Sequence, residues 1–290
     1  MQALVSKLQS SEASQFPRAL ATEYDGTART LWLGMNAAED RQNFSLPLLQ
    51  EMKRVLESLR DRSCTWSEAA APVHYLVLQS SHPEHFSLGG DLPYFRRCIE
   101  AGDERGLWNY SKLCLDLMLA WATALQGMAT TLALVQGRAL GGGFEAALGA
   151  DFLIAEAQSE FGFPEIMFGL FPCTGAMSLL ARRVGLRQAE EMMRSGRIYK
   201  AGELKDMGVV DLLCARGDGA LAVENFIAEH ARRRLPRLAL QRARNRLAPL
   251  DPDELLAVID DWVDLAMHLQ PEQLHVMEML IGMQLGLSGR

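Results

Sequence analysis

Cysteine is sparse in this chain and follows no pattern that is typical of metal binding or of a disulfide framework. Five cysteines occur among 290 residues, an odd number with no C-x-x-C pair, and they stand at positions 64, 98, 114, 173 and 214. Scattered single thiols are typical of reduced, cytoplasmic proteins and not of secreted disulfide-rich domains or zinc sites. The cysteines therefore predict a cytoplasmic protein without a bound metal.

Long uncharged segments are absent as well. Residues 1–18 lack the apolar core of a signal peptide, and no uncharged run approaches the roughly 18 residues that a membrane span requires. The net charge of −7 gives no general reason to expect nucleic acid. With 49% hydrophobic residues, the chain can bury a sizeable core. We therefore expect a soluble protein with one main domain and an appendage, and no membrane or nucleic-acid partner.

Several catalytic and cofactor motifs are missing. The sequence contains no G-x-S-x-G and no H-E-x-x-H, so serine-triad and zincin mechanisms have no signature. Its glycine cluster lacks the G-x-G-x-x-G order, and no Lys-Ser/Thr pair completes a P-loop. His82 and His85 form a short turn without a third metal ligand. These absences predict a protein that uses no cofactor.

One basic segment stands out from this acidic background. Seven arginines lie between Arg232 and Arg246, without interleaved aromatic residues. A nucleic-acid site is disfavoured because stacking side chains are lacking. A solvated helix face is the simplest interpretation. A phosphate contact to a pantetheine carrier, made from a neighbouring subunit, remains an alternative.

Strand-like and helix-like segments alternate through the first two thirds of the chain. Apolar runs predict strands at residues 30–35, 73–80, 131–136 and 152–155, and apolar periodicity predicts helices at residues 46–59, 105–128 and 142–149. Residues 61–72 are rich in small and polar side chains and are predicted to form a loop. Strands separated by helices imply right-handed crossovers and a largely parallel sheet, an α/β fold.

The character changes to helical after Asp211. Asp251, Pro252 and Glu254 form a helix start with an acidic N-cap, proline at N1 and glutamate at N3. Pro271 begins a further helix. We therefore divide the chain into a core at residues 1–211, whose first 24 residues form an irregular extension, and a C-terminal helical region at residues 212–290.

The most informative stretch contains three successive glycines, Gly141 to Gly143, followed by Glu145. Glycines after an apolar strand let backbone amides approach a ligand, and a helix that starts there directs unpaired N–H groups at it. Glu165 follows twenty positions later. Two carboxylates beside such a cradle suggest proton transfer next to a carbonyl group. An ordinary turn with a dipole-paired glutamate is the competing interpretation.

A second glycine element favours the catalytic interpretation. Phe86-Ser-Leu-Gly-Gly-Asp-Leu92 follows the predicted strand at residues 73–80. With the G-x-A-x-G-G-G-x-E segment that ends at Glu145 and the Pro-Glu pair at Glu165, it resembles the crotonase (enoyl-CoA hydratase/isomerase) superfamily, whose core is a ββα spiral. The resemblance covers roughly residues 25–215. It assigns the oxyanion amides to Gly90 and Gly142 and the catalytic acids to Glu145 and Glu165, and it makes Asp91 structural.

Departures from the general pattern resemble one branch, the diffusible-signal-factor synthases. Pro93 follows Leu92 where hydratases commonly carry a CoA-binding lysine, and Cys173 replaces a glycine. The resemblance implies dehydration of a 3-hydroxyacyl thioester on acyl carrier protein to a cis-2-enoyl thioester, and then hydrolysis to a free fatty acid used in quorum sensing. An enoyl-CoA hydratase or isomerase is the alternative, and a non-enzymatic binding protein is a third. The sequence does not show which glutamate is the acid.

The resemblance also implies an acyl site and partners. The candidate substrate-binding residues are Leu140, Gly141, Met167, Leu170 and Trp262, with Phe171 and Met267 beside them. Trp262 is equally well explained as a core residue. C-terminal helices in the superfamily cover the acyl site and pack between subunits, so a homo-oligomer, a trimer or a dimer of trimers, is expected. The resembling synthases are held by the receiver domain of a sensor kinase, which makes such a domain a candidate partner.

Overall fold

The computed structural model describes residues 19–35, 42–63, 73–127 and 129–284. The described residues form eleven α-helices: α1 Leu46–Ser63, α2 Leu92–Ala101, α3 Glu104–Gly127, α4 Gly142–Leu148, α5 Ala176–Val184, α6 Leu186–Ser195, α7 Ala201–Asp206, α8 Gly219–Ala231, α9 Arg234–Leu247, α10 Pro252–Met267 and α11 Pro271–Gln284. A 3₁₀ helix spans Pro164–Phe168.

In the same described residues, ten strands form two sheets. They are β1 Leu20–Asp25, β2 Thr30–Met35, β3 Tyr75–Ser80, β4 His85–Ser87, β5 Thr130–Val135, β6 Arg138–Leu140, β7 Phe152–Glu156, β8 Glu160–Gly162, β9 Ile198–Lys200 and β10 Leu212–Cys214. The larger sheet has the order β1-β2-β3-β5-β7-β10 and is parallel except for the β1–β2 pair. The smaller sheet has the order β4-β6-β8-β9, and only β9 is antiparallel.

The two sheets are built from a repeated unit. Each of the strands β3, β5 and β7 leads directly into a short strand of the second sheet, β4, β6 and β8, and then into a helix. This succession is the ββα spiral expected for the crotonase fold, and it confirms the predicted α/β class. Because β4, β6 and β8 are parallel neighbours, the turns that follow them meet at one edge of the sheet.

Several boundaries differ from those that the sequence predicts. Residues 20–24, expected to be irregular, belong to β1, which pairs along its whole length with β2. Residues 1–18 lie outside the described residues. The strand Leu212–Cys214 pairs with β7, so the core sheet extends past the predicted boundary at residue 211. Helix α1 continues through Ser63 into the expected loop, of which residues 64–72 are not described.

The arginine-rich segment is only partly a solvated face. Arg234 is buried, and Arg244 forms an ion pair with the buried Asp151. These contacts tie α9 to the core, because an unpaired buried carboxylate would be costly.

The C-terminal helices pack directly onto the part of the core that carries the glycine turns. Helix α10 lies against α3, and α11 contacts both α2 and the 3₁₀ helix. The Asp251 side chain caps α10 by accepting hydrogen bonds from the N–H groups of Asp253 and Glu254, as its sequence predicts. In the described parts of the chain, no helix is both long and apolar enough to cross a membrane.

Candidate active site

The three motifs singled out in the sequence meet at one edge of the small sheet. The first glycine turn follows β4, the Gly141–Gly143 run follows β6, and Glu165 lies just past β8. The packing between the turns is tight, since a Cβ added at Gly143 would lie 2.4 Å from the carbonyl oxygen of Ser87. The sequence therefore places glycine where the second turn approaches the first.

The first turn holds the peptide between Gly89 and Gly90 in one orientation. The Gly89 carbonyl accepts a hydrogen bond from the Phe44 N–H at 2.9 Å. In a trans peptide the N–H points opposite to the carbonyl, so the Gly90 N–H is directed away from Phe44. The Asp91 N–H donates to the Tyr110 hydroxyl, which itself donates to the Phe44 carbonyl. The Asp91 side chain accepts from the Tyr94 N–H, which confirms its structural role.

The second amide belongs to Gly142, the first residue of α4. The preceding Gly141 carbonyl accepts hydrogen bonds from the N–H groups of Phe144 and Glu145, as at an ordinary helix start. The Gly142 N–H cannot be satisfied within the helix and points out of its N-terminus. A Cβ added at Gly142 would lie 3.6 Å from the Gly90 nitrogen, so the two amides are close neighbours.

Glu145 lies in the first turn of α4, and its carboxylate is enclosed by hydrogen-bond donors. Oε1 accepts from the N–H groups of Thr174, at 2.7 Å, and Ala176, at 3.1 Å, while Oε2 accepts from the Thr174 hydroxyl. The residue is 3% exposed, and burial raises the pKa of its carboxyl. The three donors act in the opposite direction and favour the ionised form.

Glu165 has a different environment in the 3₁₀ helix. Its Oε2 is buried and has no hydrogen-bond partner among the described residues. Burial, and then the charge of Glu145, raise the pKa of Glu165 to about 8. Its Oε1 lies against Gly141, where an added Cβ would be only 2.3 Å away, and Gly141 has a φ of +53°. Glu165 is therefore held beside the Gly142 amide, and its surroundings favour the protonated form of its carboxyl.

The paired acids and the two amides line a single cavity of about 180 Å³. Of the predicted substrate-binding residues, Leu140, Gly141, Leu170 and Trp262 line it too. Met167 does not: it is 62% exposed on the outer side of the 3₁₀ helix, where its neighbour Phe168 faces inward. The prediction that Met167 forms part of the acyl wall is therefore wrong.

The larger part of the apolar wall comes from helices that sequence reasoning did not assign to the site. Helix α1 contributes Leu49 and Met52, and α3 contributes Cys114, Met118 and Trp121. These residues are spaced as an ordinary buried helix face, so no local signal distinguishes them from core. Arg138, whose side chain is about half exposed, and His85 also line the cavity. The lining is thus mainly apolar, with a few charged and polar groups.

Thr174 and Cys173 are further residues of the site. The Thr174 contacts to Glu145 were missed, because the segment carries no motif that would mark them. Cys173 lines the cavity, and burial followed by the nearby Glu145 charge raises the pKa of its thiol far above the usual range. Among the described non-glycine residues, only Arg29 has a positive φ. The cysteine that replaces a glycine therefore fits without backbone strain, as a neutral thiol.

His82, in the turn before β4, and His85, the first residue of that strand, stack on each other with ring centroids 4.8 Å apart. Within the described ranges, no group of three or more histidine, cysteine or acidic side chains is arranged to hold a metal ion.

The ββα units, the two adjacent amides and the paired acids together define a crotonase-class protein. The model of the enoyl-CoA hydratase/isomerase family matches residues 31–244, most of the chain, and the chain belongs to that family. An enoyl-CoA isomerase/hydratase, fer4, from Mycosarcoma maydis is 30% identical over 232 residues, which cover 79% of this chain and 81% of that protein.

A mevalonyl-coenzyme A hydratase, SIDH, from Beauveria bassiana is 39% identical over 159 residues, which cover 52% of this chain. The match spans about half the length of that relative, 54%.

Two solved structures share the fold. An enoyl-CoA hydratase from Bacillus halodurans superposes with a TM-score of 0.70 at 20% identity, covering 92% of this chain and 99% of the other. Pseudomonas aeruginosa DspI superposes with a TM-score of 0.62 at 22% identity, covering 88% and 98%.

Proposed function

We propose that the protein dehydrates a 3-hydroxyacyl thioester to a cis-2-enoyl thioester and then hydrolyses the thioester to release a free unsaturated fatty acid. The observation that carries the proposal is one cavity holding two buried carboxyl groups, with different hydrogen-bond partners, beside two adjacent backbone amides. Loss of the α-proton puts negative charge on the thioester oxygen. Amides in fixed positions stabilise that charge without reorganisation.

The roles of the acids follow from their positions. Glu165 lies beside Gly141 and hence next to the Gly142 amide, so it is the acid nearest the α-carbon of a carbonyl bound there. In dehydration it takes the α-proton, while Glu145 donates a proton to the departing 3-hydroxyl group. In hydration the same protons move in reverse, from Glu165 to the α-carbon and from water to Glu145. Both directions use a pair that carries one proton in total.

The free protein already holds this one-proton state. The hydrogen bonds from Thr174 and Ala176 favour ionised Glu145, whereas Glu165 has no such donors on Oε2 and a pKa of about 8. Two neighbouring carboxylates do not readily ionise together, so the proton of the pair favours Glu165, which is the arrangement that hydration uses. Dehydration uses the other arrangement, with the same proton on Glu145 and Glu165 ionised.

The substrate proposed is an acyl chain of medium length on acyl carrier protein. The apolar lining from α1 and α3 supports an acyl tail, because leaving methylenes in water forfeits about 0.8 kcal/mol each. Pro93, in the place of a lysine common in CoA-dependent relatives, supports the carrier protein over CoA. The thioesterase step rests on the resemblance to diffusible-signal-factor synthases, and the fold likeness to DspI is compatible with it.

The second candidate is an enoyl-CoA hydratase or isomerase. The family match and the fer4 and SIDH relatives favour it, since all are named for CoA thioester chemistry. The two candidates share the cavity and both acids. They differ in whether a free acid leaves the enzyme and in the carrier that delivers the acyl group.

Mass spectrometry of the reaction products separates them. The enzyme is incubated with 3-hydroxyacyl thioesters of acyl carrier protein and, in parallel, of CoA, with Glu165→Gln as the inactive blank. We expect a 2-enoyl intermediate and free unsaturated acid from the carrier protein. Reversible hydration of CoA thioesters without free acid would establish the second candidate. No change in either thioester would reject both.

We also propose that the protein forms a homo-oligomer, a trimer or dimer of trimers, in which residues 212–290 cover the acyl site and contribute to the interface. Three leucines on α9 support this arrangement, Leu235, Leu240 and Leu247, which are 51%, 71% and 88% exposed. Multi-angle light scattering gives the mass directly. A receiver domain of a sensor kinase is proposed as a partner on the resemblance alone, and a pull-down with that domain tests it.

A further inference from the structure

Gln284 lies at the far end of the chain from the glycine motifs, yet its side chain reaches the first of them. It is the last residue of α11 and is 5% exposed. Its Nε2 donates to the carbonyl of Leu88 at 3.0 Å and to the carbonyl of Gly90 at 3.1 Å. Both protons of the amide nitrogen are therefore used on the turn that carries the Gly90 N–H.

These two bonds complete the restraint of the turn. The Gly89 carbonyl, which lies between them, is held by the Phe44 N–H. Three successive carbonyl groups are thus fixed. Within the described ranges, the partners of the outer two are Gln284 and, for the Gly90 carbonyl, also the nearby Leu92 N–H. Because each peptide plane is rigid, holding its carbonyl also sets the direction of its N–H. The Phe44 bond therefore sets the direction of the Gly90 N–H, and the Gln284 bonds hold the two peptide planes on either side of it.

A neighbouring side chain sets which end of the Gln284 amide faces the turn. Asn43 Nδ2 donates to Gln284 Oε1 at 3.3 Å. With the oxygen engaged there, the NH₂ group faces the two carbonyls. Reversal of the amide would place its oxygen opposite two carbonyl oxygens and is therefore unfavourable. Helix α11 also contacts the 3₁₀ helix that carries Glu165, so it touches both halves of the site.

We propose that Gln284 is a positioning residue that couples the docking of α11 to the geometry of the oxyanion hole. The inference rests on the proposed function, since it requires the Gly90 N–H to bind the thioester oxygen. When α11 is docked, the turn is held and the Gly90 N–H has its working direction. When the two bonds are lost, the turn gains freedom and the stabilisation of the oxyanion weakens.

Two substitutions test the proposal, each against a matched control. Gln284→Met keeps the length of the side chain but removes both donors, and Gln284→Glu replaces the donating NH₂ with an acceptor. The control is Gln270→Met, because Gln270 lies just before the same helix, is exposed, and bonds only locally with its side chain. Activity is measured as kcat and KM on the thioester that the wild type turns over.

A positioning role predicts a loss in kcat with little change in KM. We expect Gln284→Met to lower kcat by about 10- to 100-fold, less than the 100- to 1000-fold seen when an oxyanion donor is removed outright. We expect KM to stay within about threefold, because ground-state binding does not need the oxyanion geometry. Gln284→Glu should lower kcat further than Gln284→Met does, and Gln270→Met should have the kcat and KM of the wild type. Unchanged kcat in both Gln284 variants overturns the proposal.

Amide hydrogen exchange of the peptide covering residues 86–92 supplies a readout that does not depend on activity. Gln284→Met should exchange faster there at unchanged global stability, since the Leu92 N–H bonds to the Gly90 carbonyl within the loosened turn. Unchanged exchange overturns the coupling even if the wild type proves inactive on every thioester. If the wild type is inactive but exchange is faster in the variant, the proposed function is rejected, and the result still shows that Gln284 restrains the turn.

Discussion

The regions around Glu145 and Glu165 surround the same functional group, a carboxyl, with different numbers of hydrogen-bond donors. Glu145 stands in an α-helix, and three donors from Thr174 and Ala176 enclose its carboxylate. Glu165 stands in a short 3₁₀ helix, and its Oε2 has no partner among the described residues. Burial raises both pKa values. Three donors counteract burial at Glu145, whereas only a backbone hydrogen bond of its own residue does so at Glu165.

This difference shows how one cavity assigns two roles to two identical side chains. Hydrogen bonds to a carboxylate stabilise its ionised form, whereas burial without them stabilises the protonated form. A proton can then pass between substrate and enzyme at two points at one pH. The difference between the two acids can be tested at four features of the site. These are the carboxyl groups themselves, the hydrogen-bond donors to Glu145, the proton on Glu165, and the apolar wall beside Glu145.

The largest effect is expected from replacing either carboxyl group. Glu145→Gln and Glu165→Gln keep the shape of the side chain but cannot exchange a proton, so each should lower kcat/KM by about 100- to 10,000-fold. Glu156→Gln is the matched control, because Glu156 is buried to the same extent and does not line the cavity. The Glu156→Gln variant should have the kcat of the wild type. Near-native activity in either active-site variant would remove that residue from catalysis.

The donors on Glu145 give the next largest effect. Thr174→Val is nearly isosteric and removes the hydroxyl that donates to Oε2. A hydrogen bond to a charged group is worth about 1.5–3 kcal/mol, so we expect activity to fall by about 10- to 100-fold. Thr123→Val is the control, since Thr123 is exposed and donates only within α3. Equal activity of the two variants would show that Glu145 does not depend on this donor.

The proton on Glu165 predicts a pH dependence. The working state of the pair carries one proton, and it is lost as the pH rises through about 8. Dehydration and hydration should therefore both slow above about pH 8, because both need that proton. A rate that stays constant to pH 9.5 in stopped assays of kcat/KM would contradict the assignment.

The same proton links stability to pH. The pKa of Glu165 is raised from 4.5 in the unfolded chain to about 8 in the folded protein. Its contribution to stability is fully present below about pH 4.5 and is lost progressively as the pH rises to about 8. Chemical unfolding of the wild type and Glu165→Gln across this range measures it. The free energy difference between the two proteins should change in favour of the variant as the pH rises.

The turns and acids could be predicted from the sequence because their signal is local. Gly142 and Glu145 follow one strand within a few residues, and Gly90 follows another in the same manner. Because neighbouring parallel strands end at the same edge of a sheet, the turns that follow them lie close together. The strand boundaries were predicted less well, since residues 20–24 and 212–214 form strands that the sequence pattern did not indicate.

The acyl wall could not be predicted, because its residues come from distant helices. Met52 and Met118 have the spacing of any buried helix face, and only the tertiary packing leaves a cavity beside them. Met167 was predicted to line the wall from its closeness to Glu165 in sequence. In a 3₁₀ helix of about three residues per turn, successive side chains point about a third of a turn apart, and Phe168 takes the inward position. The Gln284 contact, nearly 200 residues from its acceptors, has no sequence signal at all.

The smallest expected effect concerns which side of the cavity takes the acyl tail. Met118 lies on the Glu145 side, where its sulfur is 2.6 Å from the position of a Cβ added at Gly149 of the α4 C-terminus. Leu170 and Phe171 line the Glu165 side. If the tail follows α3, Met118→Ala opens room for about two more methylenes, each worth about 0.8 kcal/mol or fourfold in rate. The preferred chain length should then increase.

Trp262 needs no separate role in that outcome. It lines the cavity and also packs edge-on against Phe95, with ring centroids 5.2 Å apart. Its packing role is therefore seen directly, and its contact with substrate stays a prediction. The matched control for Met118→Ala is Met192→Ala, which shortens another buried methionine, one that does not line the cavity. Both variants should lose about 2–5 kcal/mol of stability, but only Met118→Ala should shift the preference. Turnover is measured across a series of 3-hydroxyacyl chain lengths beside thermal unfolding. A uniform loss at every length in Met118→Ala, with a shift in Leu170→Ala instead, would place the tail on the Glu165 side.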